Sequence, residues 1–146
     1  MKAALRQAEK ARQAGEVPIG CVIVYNDKII GRGYNKRVKM KSALGHAELE
    51  AIKKANKFIG DWRLDDCQMY ITLEPCPMCA GAIVQSRIRD VYIGAMSAKA
   101  GCAGSILNIL DEPRFNHQCS VRTGLLGEEC SKILKEFFTD LRQERI

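Results

Sequence analysis

The 146-residue sequence has no apolar stretch long enough for a helical membrane span. Its longest runs, Ile19–Tyr25 (with Gly20 inside) and Met78–Val84, fall far short of the ~20 residues such a span needs. A secretory leader is also missing, since Met1-Lys2-Ala3-Ala4-Leu5-Arg6 offers neither an apolar core nor a small-residue cleavage site. A cytoplasmic protein is therefore expected. No repeat, low-complexity tract or Pro/Gly-rich linker divides the chain, and domains typically run to roughly 100–200 residues, so one domain over residues 1–146 is expected. The seven cysteines are an odd number. Without an export signal this argues against a disulfide framework and for metal-binding, catalytic or buried thiols. Histidine is scarce: only His46 and His117 occur.

What the chain does have is an ordinary globular balance, 47% hydrophobic and 27% charged, which excludes a disordered or fibrous polymer. Twenty-three Lys and Arg against 17 Asp and Glu give a net charge of +6. Such an excess attracts polyanions, nucleic acid first among them. Charge alone decides nothing, but it favours a phosphate-bearing partner over a neutral metabolite.

Periodicity orders the elements. Ala4, Leu5, Ala8, Ala11 and Ala14 recur at helical intervals, and Gly15 and Pro18 end that helix. Ile19–Tyr25 reads as a buried strand, Asn26-Asp27 as a turn and Lys28–Gly31 as the returning strand of a hairpin. A helix is predicted from about Ala47 to Phe58, a strand over Met69–Leu73 and an apolar helix across Cys79–Val84. Asp90–Gly94 is a further strand, Gly94–Gly104 a loop, and Ser105–Leu110 has helical spacing. A last helix, Gly127–Arg142, places Cys130, Ile133, Leu134, Phe137, Phe138 and Leu141 on one side, with Glu128 and Glu129 at its start and Arg142 at its end, as the helix dipole favours. Helices alternating with strands after a hairpin imply an α/β domain, a mixed sheet between two helical layers.

The chemistry concentrates in two short segments, Gly45-His46-Ala47-Glu48 and Pro75-Cys76-Pro77-Met78-Cys79. One imidazole and two thiolates make three ligands, and three protein ligands plus water describe a catalytic zinc site rather than a structural one. Cys76 and Cys79 are three apart, which brings both sulfurs to one side of a first helical turn, where free N–H groups favour thiolates. His46 and Glu48 are two apart, and in a regular helix such side chains diverge by ~200°. Both reach one metal only if His46 sits at the helix entry, outside the helical backbone. Glu48 would then lie beside a metal-bound water and act as general acid/base. Taken singly, a C-x-x-C is often a redox pair or half of a structural zinc site, and an H-x-E is often a helix start with a solvated Glu. A structural site would need a fourth ligand from Cys67, Cys102, Cys119, Cys130 or His117.

Together, in this order, the segments form the H-x-E…P-C-x-x-C signature of zinc-dependent nucleobase deaminases. The resemblance extends further. Gly15-Glu-Val-Pro-Ile-Gly-Cys-Val-Ile-Val24, Thr72-Leu-Glu-Pro-Cys-Pro-Met-Cys-Ala-Gly-Ala82, Gly101-Cys-Ala-Gly-Ser105, Phe115-Asn-His117, Gly127-Glu-Glu-Cys130 and Phe137-Phe138 are similar to bacterial tRNA adenosine deaminases of the TadA type. The P-C-P-M-C core is shared with guanine deaminases; the glycine loop and the Phe-Phe helix favour the tRNA family. The resemblance implies a cytidine deaminase-like three-layer α/β/α sandwich with about five strands. It also implies one Zn2+ per chain on His46, Cys76 and Cys79, a proton shuttle at Glu48, and a homodimer. The activity implied is hydrolysis of adenosine to inosine at wobble position 34 of a tRNA anticodon loop (tRNA-Arg with an ACG anticodon in the family), by zinc-hydroxide attack at C6.

By the same resemblance Asn35 hydrogen-bonds the flipped base, Ala47 offers a backbone group to its edge, and Asn116, Phe138 and Arg142 hold the anticodon loop. Read without it, Asn35 is a turn asparagine and Phe137 and Phe138 are core residues. The basic segment Arg32–Lys41 is either a phosphate contact or a solvated loop. One departure stands out. Ser97 occupies the position where the family carries an Asp near the substrate ribose, and a hydroxyl is shorter and uncharged, so weaker rejection of deoxyadenosine is expected. Two rivals stay open: deamination of guanine or another free nucleobase or nucleotide, and a structural zinc module that binds nucleic acid without catalysis.

Overall fold

The computed structural model describes residues 1–145. The β-branched run forms β1 (Gly20–Tyr25), and β2 (Lys28–Tyr34) returns antiparallel to it. Asn26 and Asp27 close the hairpin with φ of 48° and 62°, a left-handed pair that matches the twist of the flanking strands. β3 (Gln68–Leu73) lies antiparallel to β1 on its other side, and β4 (Asp90–Ala95) and β5 (Ser120–Thr123) follow it in parallel. The mixed sheet therefore has five strands in the order β2-β1-β3-β4-β5. α4 (Pro77–Gln85) is the crossover between the parallel pair β3 and β4, the connection such a pair needs.

Strand alternation sorts the helices into two layers. Cys21, Ile23, Met69, Ile71, Val91 and Ile93 point to the face where α3 (Ala47–Ile59) and α4 bury Ala51, Ala55, Ala80 and Ile83. On the opposite face Gly20 lies against Ala4 and Ala8 of α1 (Lys2–Gln13), and Gly94 lies against Cys130 of α5 (Gly127–Gln143). Gly31 and Gly33 let α3 close onto the hairpin, since a side chain at either would run into the Ala51 or Ala47 carbonyl. This close seating fixes the N-terminus of α3, and with it the site described below. Among the described residues no helix is long and apolar enough to cross a membrane.

The three-layer α/β/α arrangement agrees with expectation; four local features differ. β2 runs on from Gly31 to Tyr34, because Gly31 and Gly33 are contact points with α3 rather than turn residues. The basic segment contains a four-residue helix, α2 (Arg37–Met40), with no buried residue. β5 is a four-residue edge strand, mostly exposed, so it carries little hydrophobic pattern. Ser105–Leu110 is not an α-helix despite its spacing. Its amides go elsewhere: Ser105 N–H donates to Glu74, Ile106 N–H to Gly101 and Ile109 N–H to Cys102, leaving only a 3-10 turn at Ile109–Asp111.

Candidate active site

The N-termini of α3 and α4 meet beside the carboxyl ends of β3 and β4, where open α/β sheets place their sites. His46 is the N-cap of α3 with extended backbone (φ −99°, ψ 145°), and Cys76 is the N-cap of α4 (φ −72°, ψ 175°) with Pro77 at the first helical position. The entry geometry required for His46 and Glu48 to share one centre is thus present. His46 Nδ1 lies 3.7 Å from Cys76 Sγ and 3.5 Å from Cys79 Sγ, and the three ligand atoms fall within 4.8 Å of one another. Imidazole nitrogen and thiolate sulfur are the donors that zinc and related soft or borderline ions take, so this trio fits a metal ion.

None of the candidates for a fourth ligand joins it among the described residues. The Cys119 thiol and His117 Nε2 both donate to the Ile88 carbonyl, at 3.2 and 2.8 Å. Cys102 turns to the Ala100 carbonyl (3.6 Å), and Cys67 and Cys130 are packed as small core residues.

Glu48, in the first turn of α3, is 4% exposed, and its carboxyl neighbours Cys79. Burial pushes that carboxyl up to about 7, with Cys76 adding to the rise, against hydrogen bonds from its own amide and from Cys79. The neighbouring Cys79, against burial and together with the Cys79 and Met78 amides and His46, draws the Cys76 thiol down to about 5, and Cys79 is pushed up in turn. A thiol drawn down in this way is a readier metal ligand.

The other expected residues differ in burial, and the cavity that Asn35 lines does not include His46, Glu48, Cys76 or Cys79 in its wall. Ala47 is fully buried as the first residue of α3. Asn35 follows the last residue of β2, is 3% exposed, and its Oδ1 has no hydrogen-bond partner. Such an orphan is costly, and it lines a cavity of about 580 Å3 together with Arg37, Lys41, Phe137, Phe138 and Arg145. Phe138 is exposed and stacks edge-on with half-buried Phe137. Arg142 is solvent-exposed, donating to Thr139 Oγ1, and Arg145 rather than Arg142 reaches the cavity. Asn116 is exposed in the segment before β5. Ser97 opens the loop after β4, half-buried, its amide held by Glu74 at 2.9 Å.

Two residues went unassigned by sequence reasoning. Glu74, between Leu73 and Pro75, is buried and collects four donors: the amides of Ser97, Ala103 and Ser105 and the Ser105 hydroxyl. Gly101 leaves room for that carboxylate, which a side chain there would strike. Glu16, after the left-handed Gly15, is also buried and accepts from the Val38 and Lys39 amides. The available signal was an ionisable residue standing alone among apolar ones, since such residues are seldom buried without partners.

Comparison with known proteins identifies the family. Residues 1–142 match the family described as MafB19-like deaminase. A tRNA-specific adenosine deaminase of Bacillus subtilis (strain 168) is 49% identical over 99% of this chain and 90% of its own length. A solved structure from work on A-to-I editing by tRNA:A34 deaminases at the wobble position superposes with a TM-score of 0.88 at 38% identity, covering 92% of this chain and 97% of that one. The guanine deaminase of Bacillus subtilis, 34% identical over 97% of this chain and 90% of its own, superposes less well, with a TM-score of 0.64. The triad at two helix entries, the buried Glu48 and these likenesses converge: this chain belongs to the family of tRNA-specific adenosine deaminases.

Proposed function

We propose that the protein is a cytoplasmic zinc enzyme that hydrolyses adenosine at wobble position 34 of a tRNA anticodon loop to inosine and ammonia, with tRNA-Arg as the substrate. The observation that carries the reading is Glu48. A carboxyl buried to 4% exposure beside Cys79 and the His46–Cys76–Cys79 trio has no structural salt bridge to explain it among the described residues. A solvated helix start or a purely structural zinc knot would not bury it there.

His46, Cys76 and Cys79 would hold the zinc. Zinc bound to them supplies a Lewis acid that brings the pKa of water from 15.7 towards 7. The Glu48 carboxylate takes a proton from the attacking water and delivers it to the purine ring as oxygen adds at C6. Glu48 then takes the proton of the new C6 hydroxyl and passes it to the C6 amino nitrogen, so ammonia leaves as the C–N bond breaks and the C6 oxygen becomes the carbonyl of inosine. A carboxyl raised towards 7 can both hold and release that proton at neutral pH. Asn35 offers its unpartnered amide to the base, and the buried Ala47 backbone frames the edge. A loop adenosine is already unpaired, so extruding it costs less than opening a duplex. Arg37, Lys41 and Arg145 around the cavity meet phosphates, with Phe138 as a stacking surface, and Asn116 and Arg142 extend that contact. Ser97 lies at the sugar.

A homodimer is supported by apolar surface: α4 turns Met78, Gly81 and Ala82 partly outward, and Met96, Ile106, Leu107 and Phe115 are exposed. The decisive assay offers purified protein an anticodon stem-loop with adenosine at position 34, and separately free guanine, and reads inosine or ammonia by mass and colour. Inosine from the stem-loop is expected; turnover of guanine alone would sink the proposal.

A further inference from the structure

The basic segment between Asn35 and His46 has almost nothing apolar to hold it. α2 buries no residue, and Val38 is 75% exposed. Its N-cap, Lys36, provides no side-chain cap, so the free amides of its first turn need acceptors from elsewhere. Glu16 supplies them from outside the segment: Oε1 accepts from Val38 N–H at 3.1 Å and Oε2 from Lys39 N–H at 2.9 Å. The rest of the hold lies at the segment's entry, where Lys36 Nζ pairs with Glu50 Oε1 at 2.6 Å on α3 and Lys36 N–H donates to Gly45 O at 2.8 Å, next to His46; neither reaches the Val38 and Lys39 amides. Arg37, the first residue of α2, and Lys41, just past its end, line the same cavity as Glu16, Asn35, Phe138 and Arg145.

A buried carboxylate lining a cavity meant for polyanionic RNA would repel its ligand if it were free. Here both oxygens are occupied by backbone donors, and a two-pronged acceptor fixes orientation as well as distance. We propose that Glu16 is a positioning residue for substrate binding: by clamping the Val38 and Lys39 amides it sets Arg37 and Lys41 against the wall that holds Asn35. The inference rests on the RNA-deaminase reading above. Glu16 touches none of the reacting atoms, so it governs affinity for the loop rather than the chemical step.

Glu16→Gln tests this. The amide keeps one acceptor and turns an NH2 toward the second N–H, so only one of the two bonds survives. On an anticodon stem-loop with adenosine at position 34, KM is expected to rise roughly tenfold with kcat within about threefold, the pattern of lost uniform binding. Amide hydrogen exchange gives a second reading without any variant: Val38 and Lys39 amides of the wild type are expected to be protected, and to lose protection in Glu16→Gln. An unchanged KM, a fall in kcat alone, or wild-type amides at Val38 and Lys39 exchanging at unstructured rates would each overturn the proposal. A Glu16→Gln chain that fails to fold leaves the wild-type exchange to decide. A wild type that leaves the stem-loop untouched is a separate result, one that sinks the deaminase reading itself.

Discussion

The proposed reaction centre and the proposed rim of the site are built on opposite principles. At the centre, His46, Glu48, Cys76 and Cys79 sit on the first turns of two helices whose other faces are core. Position there follows from burial, and the functional groups are two or three residues apart. The rim consists of α2, the 97–105 loop and the end of α5, with Val38, Met96 and Phe138 exposed. α2 and the loop are tied by two carboxylates 22 to 31 residues distant, Glu16 and Glu74, and α5 by Arg12, which pairs with Glu136 and Asp140. Rigid elements suit chemistry that fails when groups move by an ångström, whereas a surface that receives a flexible loop can be secured by a few polar ties.

The contrast breaks hardest at the centre. Glu48→Gln preserves volume but cannot carry a proton, so kcat is expected to fall by about 10²–10⁴-fold while one zinc per chain is retained, measured by metal analysis of the purified protein. Cys79→Ser is expected to lose both metal and turnover. Near-wild-type kcat in Glu48→Gln would remove the proton shuttle from the mechanism.

The same contrast explains what could be read in the chain. The His46–Glu48 and Cys76–Cys79 spacings are local, so helix geometry constrains them directly, and the hairpin and α3 follow from periodicity and turn residues. Glu16 and Glu74 stood out only as lone ionisable residues among apolar ones; what they hold could not be read, because their partners are backbone amides, which carry no side-chain signature and become neighbours only in the folded chain. Ser105–Leu110 misled for a related reason. Its helical spacing was outvoted by Glu74, which captures the Ser105 amide and hydroxyl. β5 was missed because an exposed edge strand of four residues has no apolar alternation to show.

Glu74 sharpens the comparison through stability rather than rate. Burial pushes its carboxyl up, but the hydrogen bonds from the Ser105 hydroxyl and from the Ser97, Ser105 and Ala103 amides prevail and hold it below its ordinary value of 4.5. A carboxyl lowered in the fold stabilises above the unfolded value and loses that contribution as pH falls through the folded one. Glu74→Gln is therefore expected to cost about 2 kcal/mol at pH 7, read from urea unfolding, and progressively less below pH 4.5. A cost that stays constant down to pH 3 would show that shape, not charge, is what the loop needs.

Ser97 is the smallest lever and the most specific. Its amide is fixed by Glu74, so a side chain placed there starts from an unchanged backbone. Ser97→Asp gives the position two charged acceptor oxygens, and charge-assisted hydrogen bonds are roughly twice as strong as neutral ones. The added charge also repels nearby phosphates, which raises KM for ribose and deoxyribose loops alike and cancels in their ratio. What remains is the gain at the 2′-hydroxyl, about 1 kcal/mol, or roughly a fivefold greater preference for the ribose loop in kcat/KM. Stem-loops differing only in the sugar of the target nucleotide measure it, and an unaltered ratio would place Ser97 away from the sugar.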